Sequence, residues 1–258
     1  MKQALTIISL LLSTNSYSQS RISNAITEND YDAVVDAIDS IADINIRVSD
    51  YYGSPLQLAL GKPDVDLKII ELLLEQGADP QLNLTPPEEC YQCAVTPIQL
   101  AIKNKNYAAL ALLINRNVNL DSIVYDYAPI HYAVYEQDTA AIGMLMSHNV
   151  NVYAKDIYDN GTPIEMAVKW SYDVSLEYLL KNGVKVETPA EDLYLENMQC
   201  CGDGFGQSIS NDMRLKTITI LYESGIKPTE KVLRRAEDYR HSNSVYYDYF
   251  RSKGLIAD

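Results

Sequence analysis

The sequence predicts an all-α fold made of repeated pairs of short antiparallel helices, and three observations carry that prediction. A phrase of capping residue, Pro, apolar residue and, two further on, apolar-Ala occurs four times. It reads Ser54-Pro-Leu-Gln-Leu-Ala, Thr96-Pro-Ile-Gln-Leu-Ala, Ala128-Pro-Ile-His-Tyr-Ala and Thr162-Pro-Ile-Glu-Met-Ala, spaced 42, 32 and 34 residues apart. Each is followed by a second phrase: LLLEQGADP at 72–80, LLINRNVNL at 112–120, MLMSHNVNV at 144–152 and YLLKNGVKV at 178–186. Near the end of each second phrase stands Gly77, Asn117, Asn149 or Gly183.

The physics assigns each part. Thr or Ser caps a helix whose first turn tolerates Pro, because the missing N–H would have had no partner there. The small Ala lets a second helix approach closely. That second helix carries its Leu-Leu pair toward its neighbours. It stops where Gly, or next best Asn, enters the left-handed backbone most cheaply. Weaker patterns flank the four units. Residues 22–46 hold two short helical patterns ending in Ile-Ala-Asp-Ile-Asn, expected to form an opening cap; 47–186 hold the central repeats. Beyond them, 187–258 hold two further pairs, one from Thr188-Pro to Gly225 and one over Thr229–Arg240 and Val245–Lys253.

A period of about 33 residues with T-P-L-x-x-A and a terminal G-A-D resembles the ankyrin repeat. The resemblance implies an all-α ankyrin-repeat solenoid of six to seven helix pairs, with β-hairpin fingers in the central units. Terminal units are expected to drift from the consensus, since one of their faces meets water. The segment QLNLTPPEECYQCAV lengthens the finger before Thr96. Four residues between Gly183 and Thr188, and three between Gly225 and Thr229, leave the last two units finger-less. The insertion CCGDGFGQSISND falls between the two helices of the sixth unit, at the edge opposite the fingers.

The first eighteen residues, MKQALTIISLLLSTNSYS, combine a Lys2 start, an apolar block from Ala4 to Leu12, and Ser16 and Ser18 at a cleavage site. They predict a signal peptide over 1–18, cut before Gln19, a single domain over 19–258, and a periplasmic or secreted product. The alternative is an uncleaved amphipathic first helix. In an exported chain the four cysteines favour oxidation. Cys90 and Cys93 share a finger, whereas Cys200 and Cys201 sit on the far edge, so a local Cys90–Cys93 bridge is favoured. A Cys200–Cys201 bond remains open but strained. A metal site would require both pairs to meet, and no metal or cofactor is expected.

Composition narrows the partners. With 47% apolar residues and no apolar run of 18 or more, the chain can build a sizeable core and has nothing to insert in a membrane. Loss of the signal leaves 20 basic against 35 acidic residues, a net of −15, which argues against nucleic acid. The same balance favours a basic protein partner, or serves solubility alone. Nothing pairs any of the three His with a nucleophile or metal ligands, so the chain is not expected to be an enzyme. His131 stands at the His position of the family phrase, where the resemblance implies a structural hydrogen bond to the finger.

Aromatic usage is lopsided, with 20 Tyr against 2 Phe and 1 Trp, and a core would not choose hydroxyls so often. On the ankyrin plan the finger tips and first-helix ends share one concave face. There lie Tyr51, Tyr52, Tyr125, Tyr127 and Tyr158 on fingers, and Lys103, Asn104, Tyr135, Glu136, Lys169 and Trp170 on first helices. Tyr and Trp give large, rigid contact area at low entropic cost, so this set is expected to bind another protein. The alternative is that several of the rings pack between neighbouring fingers. Two functions remain: an exported, monomeric interaction scaffold, such as an inhibitor or immunity protein for a secreted or periplasmic enzyme, or a redox- or metal-responsive accessory protein using the cysteine pairs.

Overall fold

The computed structural model describes residues 17–48, 53–82, 96–116, 118–123, 127–156, 161–199, 208–241 and 244–257. The chain divides into two compact units, Met1–Tyr125 and Asp126–Asp258. The first contains three helix pairs: α1 (17–28) with α2 (Tyr31–Ile38), α3 (Pro55–Leu60) with α4 (Leu67–Glu75), and α5 (Pro97–Lys103) with α6 (Tyr107–Asn115). The second contains four: α7 (Pro129–Tyr135) with α8 (Thr139–Ser147), α9 (Pro163–Lys169) with α10 (Asp173–Lys181), α11 (Ala190–Gln199) with α12 (Asn211–Glu223), and α13 (Glu230–Asp238) with α14 (Ser244–Ser252). Seven pairs are thus described, matching the upper expected number. Among the described residues no β-strand exceeds the single bridging residues Gly53, Tyr127 and Ser208. The expected finger tips lie outside the described residues; at two of the expected bases, Val48 N–H donates to the Gly53 carbonyl (2.7 Å) and Asp156 N–H to the Gly161 carbonyl (3.1 Å).

The repeated phrase does what its chemistry dictates. At Ser54, Thr96 and Thr162 the hydroxyl accepts from the backbone three residues on, and Gln57, Gln99 or Glu165 reaches back to the capping residue's own N–H. Gly161, which precedes the third of these caps at φ 79°, leaves the space that Glu165 Oε2 fills. Thr96→Ala, which removes one such cap from a buried helix start, is expected to lower stability by about 1 kcal/mol in urea unfolding. Ala128 cannot cap, and no side-chain bond is made there. The third helical residue of that repeat, His131, is directed instead to the next repeat.

The left-handed turns expected after the second helices are present at Gly77, Asn149, Gly183 and Gly225, with φ between 58° and 87°. Asn117, the remaining expected position, lies outside the described residues. A second set was not expected. Between the helices of a pair, Asn29, Lys105, Gln137 and Ser171 also take φ of 51–61°. In each case the next N–H reaches the carbonyl five residues back, on Ala25, Ala101, Ala133 or Ala167, at 2.9–3.0 Å. In three of the four phrases the Ala therefore both admits the second helix and accepts the bond that closes the turn.

Within each unit the second helices stack on one another, as do the first. Leu73, Leu110 and Leu113 in one unit, and Ile142, Leu145, Leu176 and Leu179 in the other, are wholly buried. Side chains bridge successive repeats as well. Asn45 holds the Asp79 N–H (2.8 Å) and Gly77 carbonyl, and Gln81 holds the Asn119 N–H (3.0 Å). Asn29 and Gln137, on the unexpected left-handed turns, accept from Asp66 and Val174 N–H. Three carbonyls at or near the ends of first helices are captured by three different residues of the following repeat. Asn104 takes that of Leu60 (2.7 Å), Ser175 that of Val134 (2.9 Å) and Asn197 that of Val168 (2.8 Å).

The finger-less repeats are locked by a buried polar cluster. Asn197 Nδ2 also donates to Ser171 Oγ (3.0 Å), while Arg214 donates to the Asn197 carbonyl and, at 3.3 Å, to the Tyr246 hydroxyl. That hydroxyl lies 3.0 Å from Asn197 Oδ1 and 3.1 Å from its carbonyl, and it has one proton to give. Asn197 and Tyr246 are 0% exposed and Arg214 6%.

Candidate functional site

The first-helix ends of the second unit bring aromatic and charged side chains into one strip. On α7, Tyr135 is half-buried. Its ring meets Tyr172 edge-on at 5.9 Å and lies 6.1 Å from Tyr132. Glu136, also half-buried, caps the same helix. On α9, Lys169 Nζ stands 5.3 Å from the centroid of the Trp170 ring. The same ammonium is 3.4 Å from Glu196 Oε1 on α11. Burial pushes the Glu196 carboxyl above its ordinary range, with Lys169 opposing and Glu165 and Asp192 adding to the rise.

Trp170 was expected to be exposed and is half-buried. Because α9 is only seven residues long, position 170 falls on its C-cap, beside the Lys169 stem. Glu196 was missed by the sequence reading. Aligned on Pro163 and Pro189 it occupies the register of Trp170, so the repeat alone could have found it.

The remaining candidates are dispersed. Lys103 is exposed at the end of α5, while Asn104 next to it is engaged with the Leu60 carbonyl. Tyr127 is half-buried, its ring stacked 6.5 Å from that of His131. Tyr51, Tyr52, Tyr125 and Tyr158 lie outside the described residues, as do Cys90, Cys93, Cys200 and Cys201. Among the described residues no group of three or more His, Cys, Asp or Glu is placed to hold a metal ion, and no helix is long and apolar enough to cross a membrane.

His131 is 0% exposed and donates from Nε2 to the Gly161 carbonyl at 3.2 Å. That atom lies just before the Thr162 cap of the next repeat, where the family phrase implies the base of a finger. A model of ankyrin repeats in three copies matches residues 66–156 and 98–190. The repeats are ankyrin repeats. The described ankyrin fold is also that of two solved structures: the ankyrin repeat domain of Bcl-3, described as a unique member of the IkappaB protein family, and the human ASB11 ankyrin repeat domain. The first has a TM-score of 0.60 at 18% identity, covering 80% of this chain and 86% of that one. The second has 0.59 at 19% identity, covering 80% and 84%. A search of the curated proteins finds no significant match. Ankyrin repeats bind other proteins, and the domain is a protein–protein interaction scaffold.

The buried ankyrin histidine has a pH consequence. Burial holds the His131 imidazole below its ordinary 6.5, and the Gly161 bond and Asp156 charge only partly offset this. A histidine depressed in the folded state gives stability that is fully present above the unfolded value. That stability is lost as pH falls through the folded one, because the unfolded chain takes the proton more readily. Urea midpoints measured from pH 7.5 down to pH 5 should therefore fall more for the wild type than for His131→Gln, and parallel curves would exclude the linkage.

Proposed function

We propose that the chain is an exported, monomeric ankyrin-repeat scaffold that holds a protein partner against the first-helix ends of its second unit. In this role it would act as an inhibitor or immunity protein for a secreted or periplasmic enzyme. The observation that carries the binding reading is the Tyr135, Lys169, Trp170 and Glu196 strip, backed by the buried Tyr172 ring. Its rings are held in place by their neighbours, so little side-chain freedom remains to be lost on docking. Affinity capture from an extract of the native host tests it. A protein retained by the wild type and released by the Tyr135→Ala/Trp170→Ala double variant supports the reading, and retention by both sinks it.

Export rests on the Lys2 start, the Ala4–Leu12 block and the Ser16/Ser18 site. The intact mass of the native protein should begin at Gln19, and a mass that includes Lys2 would place the chain in the cytosol. In an oxidising compartment Cys90 and Cys93 are the local bridge we expect, detectable by peptide mapping.

A further inference from the structure

We propose that the Trp170 spot is a seat for a cationic side chain of the partner, an arginine or lysine held between the indole face and the Glu196 carboxylate. The inference rests on the reading that this strip binds protein, and it goes further by naming the chemistry of what docks there.

The seat is already assembled around a cation. Lys169 Nζ sits 5.3 Å from the Trp170 centroid and 3.4 Å from Glu196 Oε1, which is the arrangement a partner's ammonium or guanidinium would adopt. Lys169 is thus an internal stand-in. Its four-carbon stem can swing aside, whereas an arginine brings a planar group that stacks on the ring and can also fork onto the carboxylate. Both ion-pair members are reachable, with side chains 20% and 37% exposed.

Local charge favours the same occupant. Glu165 and Asp192 both act on Glu196, so this carboxylate feels two like charges against the one Lys169 ammonium. Half-burial disfavours the Glu196 charge, and a second cation close by would relieve that cost where bulk water does so only in part. The whole chain carries −14, which draws a basic partner toward it over longer range. An acidic partner would add a further negative charge beside Glu165, Asp192 and Glu196.

Trp170 is the only tryptophan, so indole emission excited at the red edge of absorption, where the 20 Tyr do not absorb, reports on this seat. The experiment titrates the protein with an acetylated, amidated hexa-arginine peptide, with a hexa-glutamate peptide as control. A saturable emission change is expected with the arginine peptide only, weakening as salt is raised. Glu196→Gln should weaken binding about tenfold, as loss of one partly desolvated charge pair does. Lys169→Met should strengthen it about three- to tenfold, because the internal competitor on the ring is gone. Glu28→Gln, an exposed acid of the other unit, should change it little. Circular dichroism melts confirm that each variant is folded.

No emission change with hexa-arginine, equal binding of hexa-glutamate, weaker binding by Lys169→Met, or an equal effect of Glu28→Gln and Glu196→Gln would each overturn the seat. A protein captured through Tyr135 and Trp170 whose affinity ignores Glu196→Gln and Lys169→Met would overturn it too, while leaving the binding strip intact. Capture indifferent to Tyr135 and Trp170 would remove the strip itself.

Discussion

Asn197→Leu is expected to destabilise the second unit by about 2–4 kcal/mol, although leucine has the same number and branching of side-chain heavy atoms as asparagine and the site is wholly buried. The wild-type amide gives to the Val168 carbonyl and to Ser171 Oγ, and its oxygen faces the Tyr246 hydroxyl. Leucine withdraws two donated bonds and one acceptor where no bulk water can replace them, and each buried group so stranded costs roughly 1–3 kcal/mol. Some of this is recovered, because the Tyr246 proton can turn wholly to the Asn197 main-chain carbonyl, which the substitution leaves in place. The effect should also be local. Stability in a repeat stack is close to a sum of nearest-neighbour terms, so α11 to α14 should loosen before the rest of the unit. Urea unfolding gives the size, and amide hydrogen exchange gives the location. Asn104→Leu is the comparison: it gives up one half-buried bond, to the Leu60 carbonyl, and should cost about 1 kcal/mol. Equal costs for the two variants would mean that the cluster contributes no more than a single bond.

Trp170→Ala should weaken partner binding by at least about 2 kcal/mol, the loss typical of a central aromatic anchor. Its cost in folding should be smaller, about 1–2 kcal/mol, because the ring is only half-buried and truncation of a fully buried aromatic costs about 3–5 kcal/mol. The two losses are separable: isothermal titration against the captured partner reads the first and thermal melting reads the second. Tyr135→Ala should follow the same pattern more weakly, since part of that ring is committed to Tyr172. Charge changes on α13 should leave affinity unaltered. If Trp170→Ala unfolds the protein while the folded fraction keeps full affinity, the ring belongs to the core.

The helix pairs were legible because their signals are local. A capping residue, a Pro and a left-handed Gly or Asn act within a few residues, so Ser54, Thr96, Thr162, Gly77 and Gly183 each stand where their chemistry predicts. His131 was legible for another reason, since the family phrase carries its partner with it. The second set of left-handed turns escaped notice because Lys105, Gln137 and Ser171 are not residues that favour that backbone. They adopt it because the tight return between two short helices leaves no other path. The Asn197 cluster escaped for a different reason. Its hydrogen-bonded pairs are 17 to 49 residues apart, its members belong to three repeats, and no period relates them. The candidate strip was half legible. Tyr135, Lys169 and Trp170 announced themselves by residue type, whereas Glu196 stood in the register of Trp170 without an aromatic ring to single it out.

The captured first-helix carbonyls bear on whether these repeats can be treated as interchangeable modules. In an idealised array every joint is the same, and units can be cut out, duplicated or reordered without penalty. Here the joints are individually keyed, since Leu60 meets an asparagine from a first helix, Val134 a serine from a second helix, and Val168 an asparagine already tied to Arg214 and Tyr246. A shuffled chain would keep its helices and lose its joints. Gain of an internal repeat would require two new joints and loss of one would require one, so point substitution within a fixed order is the easier route of change for this chain.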